Sequence, residues 1–193
     1  MRQPGAINET TSMSAPLLLT FATGYYHHAA PRAPKENIVP MSKIDLPAQS
    51  AAVRSTLATH GIQRALAMLN GRTQYRYTAI YKLSDGALRA EHVFDRASEY
   101  RTWLTAVPLE KSFCQHAIEQ GEFATSHVSK DKTLISYRPY VGLVESYYGR
   151  LLRRDSGTPY GTFIHFDLEP RSIDAEEVEL LQEVTPYFLD YLD

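Results

Sequence analysis

The sequence predicts an α+β fold, in which an antiparallel sheet carries helices on at least one face. In two places, segments that alternate apolar and polar residues are joined by a turn containing Asp and Gly, which predicts two hairpins. Helical periodicity precedes the first hairpin and follows the second. There is no internal repeat at a period of about 20–50 residues, so a solenoid or a propeller is not expected.

Composition narrows the class of protein. The chain has 193 residues, 44% of them hydrophobic, and a net charge of −2, which is typical of a globular protein. Cys114 is the single cysteine, which excludes an internal disulfide and a zinc site built from several cysteines. No apolar run reaches the roughly 18 residues of a membrane span. The even charge balance does not indicate nucleic-acid binding. We expect neither nucleic acid nor a membrane as partner.

Residues 1–40 are expected to form an irregular extension, and residues 41–193 a single domain. The extension contains five prolines and several polar clusters. Its apolar run Ala15–Ala22 could also be the core of a signal peptide, and Met41 could be an alternative start. A signal peptide begins with a positively charged segment, but Arg2 is the only charged residue before the polar cluster around Glu9. A cytoplasmic protein is therefore the preferred prediction.

The first elements follow from periodicity. Apolar residues spaced by three and four predict a helix over residues 48–70, which Gly61 interrupts and Gly71 ends. Alternation then predicts a strand over residues 75–83, a turn at Asp85-Gly86 and a second strand over residues 88–94.

The middle of the chain is less regular. Residues 96–108 are expected to lack regular structure. A short helix is predicted over Leu109–Gln120, closed by Gly121. A strand over Phe123–Val128 and a long connection over Asp131–Val144 follow.

The second hairpin joins strands Ser146–Leu152 and Tyr160–Asp167. In the last helix Asp174 is expected to be the N-cap, with Glu177 completing a capping box. Pro186 should kink or split this helix.

Four stretches of the sequence carry a family resemblance. They are ALAMLNGRTQYRYTAIY (Ala65–Tyr81), SFCQHAI (Ser112–Ile118), SYYGRLL with GTPYGTFIHFD (Ser146–Leu152 and Gly157–Asp167), and the last helix, Asp174–Phe188. In these the chain resembles a GAF domain, the small-molecule sensor module of phosphodiesterases, cyclases and bacterial regulators. Small stand-alone bacterial GAF proteins are the nearest type. The resemblance implies a six-stranded antiparallel sheet with the first and last helices on one face. It also implies a ligand pocket on the other face, roofed by the short helix and long loops.

The resemblance points to a set of candidate ligand-binding residues, most of them aromatic. Tyr75, Tyr77 and Tyr81 are expected on one strand face, although packing in the core is the alternative for any single tyrosine. Ser112 lies in the first turn of the predicted short helix, where backbone N–H groups could bind an anion. The alternative is that Pro108 and solvent satisfy the helix start. The complete predicted set is Tyr77, Trp103, Ser112, Phe113, Tyr137 and Tyr147.

Cys114 is the candidate for an enzyme. One branch of the GAF family reduces free methionine sulfoxide, and that chemistry needs a thiolate and a second cysteine to resolve the sulfenic acid. This chain lacks the second cysteine. The alternative is that Cys114 packs beside Ala117 and Ile118 as a small apolar residue.

Other polar residues give weaker signals. No His or Cys spacing is typical of a metal site, and the pair Ser112 and His116 lacks an acid placed to orient the histidine. We therefore predict no catalytic residue, no metal ion and no cofactor. The basic cluster Arg150, Arg153 and Arg154 is expected to be a solvated turn, with an acidic partner as the alternative.

Together these observations predict a sensor that binds a small molecule, with an anion as one ligand class. Ligand binding would order the segments 99–108 and 131–144. The signal would pass through a dimer or a partner protein on the first and last helices. A thiol enzyme using Cys114 and an interaction module without a ligand are the alternatives.

Overall fold

The computed structural model describes residues 45–99, 105–137 and 143–193, with the backbone alone at residues 135–137. The expected extension at residues 1–40 lies outside these ranges, so the domain boundary stays a prediction.

A six-stranded antiparallel sheet forms the centre of the domain, as predicted. The strands are β1 (Tyr77–Ser84), β2 (Ala87–Asp95), β3 (Ala106–Pro108), β4 (Glu122–Thr125), β5 (Ser146–Arg153) and β6 (Pro159–Asp167). Their order across the sheet is β3-β2-β1-β6-β5-β4. Both predicted hairpins are confirmed, β1 with β2 and β5 with β6.

The edge strand β3 was not predicted. It lies within the segment expected to be irregular and pairs with residues 87–89 of β2. A strand of three residues is too short to show alternation, so only its pairing with β2 identifies it.

Helix α1 spans Leu46–Gly71, as expected from its periodicity. The Asp45 side chain accepts a hydrogen bond of 3.1 Å from the Ala48 N–H, which caps the helix. Gly61 has φ 75° and ψ −179° and divides the helix at a kink, which confirms its predicted role.

The predicted helix over residues 109–120 is wrong in its first half. Leu109–Lys111 form a 3-10 turn, and helix α2 begins only at Cys114 and ends at Gln120. Ser112 between them has an extended backbone, with φ −113° and ψ 142°. Its hydroxyl accepts a hydrogen bond of 3.1 Å from the Cys114 N–H. The Ser112 side chain thus satisfies a backbone N–H group, so the backbone can depart from a continuous helix at this position.

Helix α3 spans Ala175–Val184, and a 3-10 helix continues over Thr185–Tyr191, so the break expected at Pro186 is confirmed. The predicted capping box is wrong. Asp174 occupies the N-cap position, but its side chain makes no cap hydrogen bond.

Glu177 is not available for that capping box. Its carboxylate turns inward, 6% exposed, and pairs with the Arg72 guanidinium at 2.8 Å. The tertiary ion pair between α3 and the end of α1 therefore replaces the local cap.

Two hydrophobic cores lie on the two faces of the sheet. The first core packs α1 and α3 against the sheet, as the resemblance implied; its members include Val53, Leu57, Leu66, Tyr75, Ile80, Tyr148, Leu152, Phe163, Leu181 and Phe188. The second core lies under α2; its buried members are Tyr77, Ala79, Tyr81, Leu88, Phe113, Cys114, Val128, Leu134, Val144, Tyr147, Ile164 and Phe166.

The prediction that Tyr75, Tyr77 and Tyr81 share one face is wrong for Tyr75. Strand β1 begins at Tyr77, and Tyr75 precedes it and packs in the first core. Its ring stacks on His165 at a centroid distance of 5.7 Å. Side chains two residues apart lie on the same face only where the backbone forms an extended strand.

Within the described ranges, every helix is too short or too polar to cross a membrane.

Candidate functional site

Three predicted ligand-binding residues belong to the second core, and a fourth, Ser112, hydrogen-bonds to Cys114 of that core. Tyr77, Ser112, Phe113 and Tyr147 are all buried, with exposures of 0%, 8%, 4% and 3%. The Tyr77 ring stacks on Phe166 at 4.5 Å, and the Phe113 ring is tilted against Tyr147 at 5.7 Å. The fold therefore brings together residues that are up to 70 positions apart in the sequence (147 − 77).

The other two predicted residues are not placed by the structure. Trp103 lies outside the described ranges, and the same holds for the side chain of Tyr137, whose backbone belongs to a 3-10 helix over Lys132–Tyr137. Their part in the site stays a prediction.

Hydroxyl groups surround the thiol of Cys114. The Tyr147 hydroxyl donates a hydrogen bond of 3.2 Å to Sγ. The Ser112 and Thr162 hydroxyls also face the thiol. Thr162 is fully buried, and its Oγ1 has no hydrogen bond of normal geometry within the described part of the chain. We call these four residues, Ser112, Cys114, Tyr147 and Thr162, the hydroxyl cluster.

The environment keeps Cys114 protonated. Burial raises the pKa of its thiol above the usual value, and the neighbouring hydroxyls of Ser112, Thr162 and Tyr147 offset only part of that effect. The pKa of Tyr147 is also raised well above its ordinary value, mainly by burial. A buried thiol with a raised pKa contains little of the thiolate that nucleophilic chemistry requires.

Gly149 makes room for Tyr147. The two residues lie two apart on one face of β5, and a Cβ at position 149 would come within 2.1 Å of the Tyr147 hydroxyl oxygen. The tyrosine ring therefore extends along its own strand over the glycine. The spacing Tyr-x-Gly within a predicted strand is a signal that could have indicated this arrangement from the sequence.

Thr162 was not predicted as a site residue, although it lies in the stretch GTPYGTFIHFD that carries the family resemblance. Gly161 before it pairs with Lys82 of β1. A Cβ there would be 1.8 Å from the Tyr81 carbonyl oxygen. The glycine allows this close approach, and the threonine after it enters the hydroxyl cluster.

The histidines are dispersed. His127 Nε2 lies 3.0 Å from the Glu145 carboxylate, and the His116 ring packs on Phe123 at a centroid distance of 4.6 Å. His165 is buried in the aromatic surroundings of Tyr75 and Tyr148. In the described ranges, no group of three or more His, Cys, Asp or Glu side chains could hold a metal ion.

The chain matches no protein-family model, and no curated protein matches its sequence. Solved structures do match its fold. A type II free methionine-R-sulfoxide reductase from Thermoplasma acidophilum superposes with a TM-score of 0.53 at 17% identity, covering 74% of this chain and 96% of that one. The phycocyanobilin-bound GAF domain of a cyanobacterial phytochrome gives a TM-score of 0.59 at 13% identity, covering 77% and 94%. The GAF domain of a phosphoenolpyruvate-protein phosphotransferase from Acinetobacter gives 0.58 at 8% identity, covering 74% and 89%.

The domain therefore has the GAF-like fold that its sequence motifs predicted. Sensor domains and enzymes both use this fold, as the similar structures show. Fold alone does not separate these classes of function. The side chains in the second core must therefore be used to distinguish a sensor domain from an enzyme.

Proposed function

We propose that this domain binds a small molecule on the α2 face of the sheet and passes the signal to another protein chain. The observation that supports this proposal is the hydroxyl cluster. Several polar groups converge in a core that is otherwise apolar and aromatic, which is typical of small-molecule sites. The Thr162 hydroxyl, which has no hydrogen bond of normal geometry within the described residues, is a buried polar group that a ligand atom could satisfy.

The length of the helix that covers the α2 face of the sheet also supports ligand binding. The first core lies under α1, with 26 residues, and α3, with 10 residues, whereas α2 has 7 residues. A short cover buries less apolar surface, so it opens at a lower cost in free energy. We expect the ligand to enter when α2 opens. The ligand then stabilises the closed form through better contacts in it.

The chemistry of the cluster favours a ligand that accepts and donates hydrogen bonds over one held as an anion at a helix start. The Ser112 hydroxyl already accepts the Cys114 N–H, which is one of the groups that an anion would need. Helix α2 also has only 7 residues, which limits its dipole.

The test is mass spectrometry of the purified protein under native and then denaturing conditions. A small molecule lost on denaturation would support the proposal, and its mass would identify the ligand class. Tyr147→Phe removes one hydroxyl of the cluster and should weaken retention of that molecule. Tyr187→Phe is the matched control, because Tyr187 packs beside the first core on the opposite face. Equal retention in both variants would contradict the proposed site.

A thiol enzyme is the competing function, since several proteins of similar fold are free methionine-R-sulfoxide reductases. It predicts reduction of free methionine-R-sulfoxide that Cys114→Ser abolishes. The raised pKa of the thiol and the lack of a second cysteine speak against this activity. Turnover by the parent protein that the serine variant lacks would overturn the sensor proposal in favour of the enzyme.

Signal output through a dimer or a partner protein is part of the proposal. The apolar stripes of α1 and α3 pack against the sheet, so a partner would contact their outer faces. Sedimentation with and without the bound molecule measures whether binding changes the association state. Hydrogen exchange at residues 131–134 should slow when the ligand is bound. A protein without any bound molecule, and without a change in exchange, would favour the interaction module.

A further inference from the structure

A groove separate from the hydroxyl cluster lies on the helix-bearing face of the sheet, near its β4 edge. Arg150 alternates along β5 with Tyr148 and Leu152, which both pack in the first core, so these three residues share that face. The groove has a volume of about 390 Å³, within the size range of small-molecule sites. The lining residues that matter here are Gln120, Arg150, Arg153, Gln182, Pro186 and Leu189.

One positive charge in this groove is already neutralised. The Glu122 carboxylate accepts hydrogen bonds from Arg150 at 3.2 Å, from Gln182 at 3.1 Å and from the Tyr148 hydroxyl at 3.0 Å. All three bonds go to the same oxygen, Oε2. Arg150 and Glu122 thus form a balanced pair in the wall of the groove.

A second positive charge is not neutralised. The Arg153 guanidinium donates a hydrogen bond to the Gly157 carbonyl oxygen, which is uncharged. Among the ion pairs of the described residues, none includes Arg153. Among the described residues that line the groove, Arg153 is therefore the unbalanced cation, and this residue is exposed.

An apolar surface lies close to this cation. Pro186 is exposed and Leu189 is half-buried, both on the 3-10 helix that forms one wall. We propose that the groove binds small organic monocarboxylates, with Arg153 pairing with the carboxylate and Pro186 and Leu189 contacting the apolar body. Guanidinium and carboxylate groups form paired hydrogen bonds that suit this role. A dicarboxylate would fit less well, because its second charge would approach the Glu122 carboxylate.

The basic cluster noted in the sequence is divided by the fold. Arg150 and Arg153 line the groove, whereas the Arg154 guanidinium lies over the Tyr160 ring at 4.8 Å and does not line it. Arg153→Gln and Arg154→Gln are therefore matched variants, which remove the same charge from adjacent positions.

Hexanoate is the probe, titrated into the full chain and followed by the chemical shifts of groove amides. Arg153→Gln should weaken its binding about fivefold, the effect of one exposed ion pair. Arg154→Gln should leave the affinity within about twofold of the parent, since that charge lies outside the groove and is screened by salt. Glu122→Gln should strengthen binding, because it leaves the Arg150 charge unbalanced.

Uncharged hexanamide should bind more weakly than hexanoate in the parent protein. Two outcomes would overturn the proposal: no hexanoate-dependent shift at the groove, or equal weakening by the two arginine variants. Tyr147→Phe, on the opposite face, should not alter hexanoate binding. The result at the groove is therefore independent of whether the hydroxyl cluster binds a ligand.

Discussion

At the scale of single residues, the least expected group is His165. It is fully buried and its Nδ1 lies 2.7 Å from the Thr78 hydroxyl. Thr78 in turn accepts a hydrogen bond from Asn70, whose carbonyl groups bind Arg96. These hydrogen-bonded polar groups thus connect the sheet to the end of α1. Burial lowers the pKa of His165 to about 3, and the Arg96 charge adds to this effect.

This burial makes stability depend on pH in one direction. The unfolded histidine binds a proton below its ordinary pKa of 6.5, whereas the folded one stays neutral down to about 3. The unfolded state therefore binds more protons in this window, and stability falls as pH decreases from 6.5 towards 3. His165→Gln should lower the slope of unfolding free energy against pH by up to about 1.4 kcal/mol per unit.

Urea unfolding at several pH values measures these slopes. His60→Gln is the control, because His60 is exposed on α1, and it should keep the slope of the parent. If the His165 variant also kept the parent slope, the buried neutral histidine would not be the source of the acid sensitivity.

At the scale of elements, the contact between β1 and β6 holds the centre of the sheet. Gly161 lets the two strands approach, because any side chain there would meet the Tyr81 carbonyl oxygen. We expect Gly161→Ala to lower the free energy of unfolding by about 3 kcal/mol or more, since a backbone clash cannot relax as a side chain can.

Gly71→Ala provides the comparison for this substitution. Nothing lies within 4 Å of a Cβ at that position, so the change should stay within about 0.5 kcal/mol. Both free energies come from urea unfolding at neutral pH. Equal effects of the two substitutions would contradict the close approach of the strands.

At the scale of the whole molecule, the two faces of the sheet are covered unequally. Long helices cover the first core, whereas α2 and 3-10 turns cover the second. Cys114 reports on the second core, because it is 3% exposed and is the single thiol of the chain. We expect alkylation of Cys114 to proceed through a local opening whose free energy is below that of global unfolding.

The test measures the alkylation rate of Cys114 at increasing urea concentrations. If a local opening exposes the thiol, the rate barely depends on urea at low urea concentrations. A thiol moved to the first core, Val184→Cys in a Cys114→Ser background, should react only through global unfolding. A Cys114 rate that follows global unfolding at every urea concentration would show that the two cores open together.

Much of this domain could be predicted from patterns within single segments. The kink at Gly61, both hairpins and the break at Pro186 follow from the chemistry of glycine, proline and alternating residues. These signals are local, because each depends on backbone conformations that neighbouring residues favour. The family motifs extended them to the six-stranded antiparallel sheet and to the placement of the first and last helices.

What depended on tertiary structure involved contacts between distant residues. The Glu177 carboxylate pairs with Arg72 and does not form the predicted capping box. Tyr75 does not share a face with Tyr77, because β1 begins only at Tyr77. The sequence by itself determined most of the helices and strands and the GAF-like class of the fold. Only tertiary packing decided which polar groups meet, because burial and charge pairing depend on residues that are distant in the chain. The hydroxyl cluster and the groove beside Arg153 both arise in this way.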